Sequence, residues 1–272
     1  MEDFIAYFNS IPSSHRTLIL MCGLVFFWSF EGLAPLVKQR YSKWRHALPN
    51  LFFTLTTAIV NFLFAYFIIK ASDAAVSGEW GVLQWMGDNF WLQLFIGLLL
   101  LDLVGAYLVH WVEHQVPWMW RFHIIHHSDT KVDATTALRH HPGESVFRAV
   151  FTLLAVLITG APIWMVMLYQ TLSAMLSQFN HSNIRLPKWV DKSFGYLLVT
   201  PSMHRVHHHE VVPYTDANYG NMFSIWDRLF GTYMHLEADQ IVYGLDVFDK
   251  QESNLGDLLG LPFDGKPYKN KS

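Results

Sequence analysis

The chain has to fold so that three clusters of histidine can meet. They are His110-x-x-x-His114, His123-x-x-His126-His127 and His204-x-x-His207-His208, and twelve of the fifteen histidines lie between His110 and His209. On a helix, positions i, i+3 and i+4 share a face, so each cluster aims its rings at a common point. Neutral imidazole is a ligand for iron, zinc and copper. The eight rings of the three clusters are more than one first-row ion accepts. The pattern therefore predicts two metal ions in a cage of histidine.

The cage must form at the end of a membrane bundle. Residues 17–37, 51–71 and 90–111 are each apolar and long enough to span a bilayer. Residues 146–179 are too long for one span and are interrupted by Gly160-Ala161-Pro162. Proline removes a backbone donor and breaks a helix, so this stretch reads as a helical hairpin that either crosses twice or dips in and returns. Hydrophobic residues make up 52% of the chain and charged residues 15%, a balance that favours a polytopic membrane protein over a soluble globule. The formal charge of −3 gives no reason to expect a nucleic acid partner. Cys22 is the only cysteine, which excludes disulfides within the chain and thiolate metal sites. Residues 1–15 carry Glu2 and Asp3 and lack a basic n-region, so no cleaved signal peptide is expected.

Loop charge sets the orientation. Lys38, Arg40, Lys43 and Arg45 lie between the first two spans, and Asp73, Glu79 and Asp88 follow the second. By the positive-inside rule the first of these loops is cytoplasmic. The third span then runs inward and brings His110 and His114 to the cytoplasmic face, where the hairpin also returns the later boxes. The expected fold is all-α: a polytopic transmembrane bundle with a cytoplasmic, histidine-rich cap holding a two-metal site. It divides into N-terminal transmembrane helices and loops (1–100), a catalytic region with the histidine boxes (101–235) and a cytoplasmic tail (236–272). The expected location is a bacterial inner membrane, or the endoplasmic reticulum membrane in a eukaryote. Residues 191–196 and 223–230 read as short helices lying on the cytoplasmic surface. The tail after Asp249 shows little periodicity, and residues 266–272 are expected to be disordered.

Other polar residues are weighed individually. His209, at i+5 from His204, points away from the shared face. Neighbouring helical residues diverge by about 100°, so at most one of His140 and His141 faces the metals. His181 is either a ninth ligand or a helix C-cap. Asp102 and Glu31 lie inside apolar spans, where an ionisable group is a functional candidate. Asp102 is positioned to back the metal site without ligating it. Some of Asp129, Asp133, Glu144, Asp216 and Asp227 should accept the second N–H of metal-bound histidines. Trp85, Trp91, Trp111, Trp118, Trp120 and Trp189 suit interfacial belts.

Residues 102–233 resemble the fatty acid hydroxylase (sterol desaturase-like) superfamily. The resemblance rests on Asp102…His110-x-x-x-His114, Phe122-His123-x-x-His126-His127-Ser128, Leu138-Arg139-x-His141-Pro142-x-Glu144 and Asn180-His181-Ser182-Asn183. It continues through His204-Arg205-x-His207-His208, Asp216-x-Asn218-Tyr219-Gly220 and Trp226-Asp227-Arg228-Leu229-Phe230-Gly231-Thr232. Trp111 departs from the Arg that many members carry after the first histidine. The resemblance implies two iron ions, O2 as co-substrate, and hydroxylation or desaturation of a lipid or sterol-like substrate. It also implies electrons from a separate ferredoxin or cytochrome b5-type protein, for which 38–45 and the surface around Arg185 and Lys188 are docking candidates. His110, His114, His123, His126, His127, His204, His207 and His208 fall on the catalytic ligand positions, with His181 added as a metal ligand. Two other readings remain open here: a membrane zinc hydrolase, which needs a carboxylate base near the metals, and a metal transporter or sensor, which needs ligands along a transmembrane path.

Overall fold

A computed structural model describes residues 1–245 and 254–264, and its regular structure there is helical, with only three isolated β-bridges. The helices are α1 (Glu2–Asn9), α2 (Ser13–Phe30), α3 (Lys43–Ser77), α4 (Phe90–Asp102), α5 (Val109–Gln115), α6 (Pro117–His127), α7 (Pro142–Thr159), α8 (Ile163–His181), α9 (Lys188–Phe194), α10 (Pro201–His207), α11 (Ile225–Leu229) and α12 (Leu255–Gly260). By length and composition three stretches can cross a membrane: Lys43–Trp85, Phe90–Gln115 and Pro142–Thr159. The pair α1 and α2, bent by 95°, is a fourth candidate.

Local sequence explains the breaks. Pro117, Pro142 and Pro201 each start a helix, where the missing N–H costs nothing. The α7–α8 hairpin turns at Gly160, whose φ of +70° closes α7 in the left-handed conformation that glycine tolerates. Gly81 packs against Gly160 so closely that a β-carbon on Gly81 would collide with the Gly160 backbone, and one on Gly160 with the Trp80 carbonyl. This contact marks the end of the bundle opposite the histidines.

The first span is shorter than expected. Helix α2 ends at Phe30, and residues 31–42 turn back over the cap, where Leu36 N–H donates to the Asn183 carbonyl at 3.2 Å. Glu31 is thus not a mid-span group. Its carboxylate accepts from Lys43 Nζ at 2.8 Å, from Ala134 N–H at 2.8 Å and from Asn183 N–H at 3.0 Å. It ties the end of α2 to the cap, a tertiary role that no periodicity announces.

The third span carries a π-helical turn, Leu103–Leu108, between α4 and α5. Such insertions re-aim the residues beyond them, here His110 and His114. Asp102, wholly buried, precedes the turn and accepts from Met222 N–H (3.3 Å), Phe223 N–H (3.1 Å) and Trp226 Nε1–H (3.0 Å). A buried carboxylate costs several kcal/mol unless donors surround it. Asp102 meets that condition by pinning residues 222–226 against the span.

The two expected short helices form: α9 begins and ends a few residues earlier than 191–196, and α11 lies within 223–230. Within the described part of the tail, α12 and the turn Leu261–Phe263 pack on α6, with Leu258 buried beside Ile124, Ile125 and Phe53. Residues 266–272 lie outside the described residues.

Candidate metal centre

The cap forms where α5, α6, α8 and α10 converge. Nine imidazoles meet there in two groups, His110, His114, His123, His127 and His207 in one and His126, His181, His204 and His208 in the other. Within each group the ligand atoms all lie within 4.8 Å of one another. The nearest pairs are His110 Nε2–His123 Nε2 at 3.1 Å, His126 Nε2–His181 Nε2 at 3.1 Å and His181 Nε2–His204 Nε2 at 3.0 Å. Metal–nitrogen bonds of about 2.1 Å place neighbouring ligands of one ion roughly 3 Å apart, so these spacings fit.

Backbone and carboxylate acceptors orient the rings. Nδ1–H of His110 donates to the Tyr219 carbonyl (2.8 Å), that of His207 to Ala217 (2.7 Å) and that of His181 to Ser177 (2.7 Å). His114 Nδ1–H donates to Asp216 (3.0 Å) and His123 Nδ1–H to Glu144 (2.9 Å). Each bond fixes the tautomer whose Nε2 lone pair points inward, the arrangement that supports a bound metal. Nε2 of His114 and His207 and both ring nitrogens of His127 and His208 are buried with no hydrogen-bond partner. Unpaired buried nitrogens are costly. Together with the donor chemistry, they fit a pair of first-row ions.

Burial and the mutual repulsion of neighbouring rings push His126, His127, His207 and His208 well below the usual histidine range. Burial takes His123 and His204 down to about 3. The rings are therefore neutral near pH 7, the form that ligates.

Of the neighbouring residues, His140 lies in line with the sites and His141 does not. His140 stacks on His126, centroids 4.8 Å apart, and donates from Nδ1 to Glu144 at 2.7 Å. His141 instead caps α7 by accepting from Gly143 N–H at 3.0 Å. His209 accepts from Val242 N–H and stays outside both groups. Glu144 and Asp216 take the supporting role expected of the nearby carboxylates. Asp129 and Asp133 instead bracket His46, at 2.8 and 3.2 Å. Asp227 accepts from the N–H groups of Tyr219 and Gly220, shaping the loop whose carbonyl holds His110.

Two supporting residues, Glu113 and Arg148, are not specified by the sequence motifs, and Arg205, within the third box, has a role that the motif does not reveal. Arg148 bridges Glu144 (2.9 Å) and Glu113 (2.7 Å), and Arg205 holds α10 through Tyr243 Oη (2.6 Å) and the Val132 carbonyl (2.8 Å). The i, i+4 spacing of Glu144 and Arg148 is the one signal that points to the first bridge.

These features define a helical membrane bundle with a buried, paired histidine centre at one end. Residues 94–232 match the family model described as fatty acid hydroxylase, and the chain belongs to that family. It is 28% identical over 153 residues to the ornithine lipid hydroxylase OlsE of Rhizobium tropici, covering 54% of this chain and 45% of that protein. It is 31% identical over 170 residues to the alkylglycerol monooxygenase of Caenorhabditis elegans (61% and 32% covered) and 33% identical over 171 residues to that of Danio rerio (60% and 34% covered). The chain thus spans less than half the length of these relatives. No solved structure matches it.

Proposed function

We propose that the chain is an O2-dependent integral membrane oxidoreductase with two non-haem irons that hydroxylates or desaturates a lipid. The observation that carries this reading is the division of nine buried, neutral imidazoles into groups of five and four. Two irons bound there would supply the oxidising power, drawn from O2 and external electrons, to remove hydrogen from an unactivated carbon.

The chain's own residues prepare that chemistry. The carbonyls of Tyr219, Ala217 and Ser177 hold three rings in the ligating tautomer. Glu144, shared by His123, His140 and Arg148, fixes the face between α6 and α7. Near-complete burial of the rings keeps bulk water from the reacting volume. The names of the relatives, hydroxylases and monooxygenases, support this reading. The hydrolase alternative needs a free carboxylate base, whereas the carboxylates beside the rings are engaged, Glu113 and Glu144 by Arg148 and Asp216 by His114. A transporter needs ligands along the bundle, whereas these cluster at one end.

A ferredoxin or cytochrome b5-type donor would approach the basic loop 38–45. His46, just after it, bonds Asp129, two positions beyond His127. This loop and the histidines share one end of the bundle, which the positive-inside rule assigns to the cytoplasm. A cysteine at Arg40 in a Cys22→Ser background is expected to react with an impermeant maleimide only after the membrane is opened. Reaction in sealed cells would reverse the orientation.

The activity itself is tested with membranes, lipid extract, 18O2 and a reduced ferredoxin or cytochrome b5 system. An 18O-labelled hydroxylipid, or an O2-dependent new double bond, is the expected product. Equal turnover without oxygen would remove the oxygenase reading.

A further inference from the structure

We propose that the surface built by α9, α11 and residues 195–197, which follow α9, is immersed in the lipid leaflet on the histidine side, as a membrane-embedded element that does not span. The inference concerns a surface apart from the metal centre and does not depend on the reaction.

Three observations converge on it. The first is depth. Trp91 and Trp111, both exposed, lie twenty positions apart on the third span, about 30 Å on a helix, the thickness of the hydrocarbon core. Asp102 is nine positions from Trp111, about 14 Å below that interface. The residues bonded to its carboxylate are Met222, Phe223 and Trp226, so α11 begins beside the span well inside the leaflet. Phe230, just beyond α11, stacks on Tyr107 of the same span, centroids 5.4 Å apart.

The second is surface chemistry. Phe194, Leu197, Ile225, Leu229 and Phe230 are exposed, as is Trp189 at the start of α9. Ser224 and Arg228 both donate to the Gly195 carbonyl, so α9 and α11 form one continuous face. An apolar surface of this extent is unstable in water. A lipid leaflet covers it without any further protein.

The third is the rim. Lys188 and Lys192 are exposed, whereas the intervening Asp191 is turned inward to accept from Ser202 at 2.5 Å. Arg228 lies against the rings of Tyr196 (4.9 Å) and Tyr233 (4.2 Å), the way a cation is carried at an aromatic interface. A basic and aromatic border around apolar side chains is the pattern of an interfacial helix on anionic lipid. On this reading the basic residues around Lys188 face headgroups and not a redox donor.

Site-directed spin labelling tests the proposal on the full chain in nanodiscs of phosphatidylcholine and phosphatidylglycerol. Labels are placed singly, in a Cys22→Ser background, at Phe194→Cys, Leu229→Cys and Phe230→Cys, with exposed Glu237→Cys as reference. The expected result is a severalfold higher ratio of oxygen to nickel-complex collisions at the three test positions than at Glu237→Cys. Ratios equal to the reference would place the face in water and overturn the proposal. Protection from both reagents with dipolar broadening would also overturn it, in favour of a second copy covering the face. The test positions are on two separate, exposed elements, so one poorly folded variant does not decide the outcome.

Discussion

His208→Ala is expected to lower the iron content from two ions per chain to one and to abolish lipid oxidation. The group His126, His181, His204 and His208 has only four imidazoles, and removing one leaves three. The other group has five, so His127→Ala should keep its ion with weakened affinity. This asymmetry separates two defined sites from a loose collection of histidines. Elemental analysis of the purified variants, with iron supplied in excess, provides the measurement. Two ions retained in His208→Ala would refute the division into groups. Zinc in place of iron would not bear on it, because imidazole sites take either ion and affinity alone does not select.

A second large effect is expected at a residue outside the histidine boxes. Glu144 accepts from His123 Nδ1 at 2.9 Å, His140 Nδ1 at 2.7 Å and Arg148 Nε at 2.9 Å. The three donors meet at one oxygen, Oε1, so in Glu144→Gln the amide oxygen can still face them but the negative charge they share is lost. Loss of the carboxylate also leaves the half-buried Arg148 paired only with Glu113. Disturbing such a supporting contact commonly costs about 10–100-fold in metal affinity or activity. That loss is expected for the group containing His123, with the four-ring group little changed. Competition titrations with a coloured chelator would resolve the two affinities. Equal affinity in the variant and the parent would show that Glu144 does not orient His123.

The parts of the fold that follow from short-range chemistry could be read from the residues in order. The i, i+4 pairs His110/His114, His123/His127 and His204/His208 each fall in one group. His126 and His207, at i+3, go to the other, so the common aim expected of each box holds only in part. Gly160-Ala161-Pro162 marked the turn between α7 and α8. Pro201 starts the helix bearing His204–His207, where its missing N–H costs nothing. In each case the deciding forces act within one or two turns, through backbone sterics, missing donors or helical periodicity. The same reasoning misjudged Glu31, because its partners, Ala134 and Asn183, lie more than a hundred positions away. Nor could it place Leu258, which gains its position from burial against α6 and not from any pattern of its own.

How the nine rings divide was beyond local reasoning. His126 and His127 are neighbours on one helix yet belong to different groups, and so are His207 and His208. Adjacent helical side chains diverge by about 100°, so each HH pair necessarily serves two directions. The directions that matter are set by the crossing of α5, α6, α8 and α10. Those crossings depend on contacts between distant segments: Asp102 on residues 222–226, Arg148 between two glutamates, and Tyr219 beneath His110. Residue type and spacing were enough to call for a histidine cage at the end of a membrane bundle. Its partition into five and four arises from packing, because long-range burial and hydrogen bonding select one arrangement from the many that the same spacings allow.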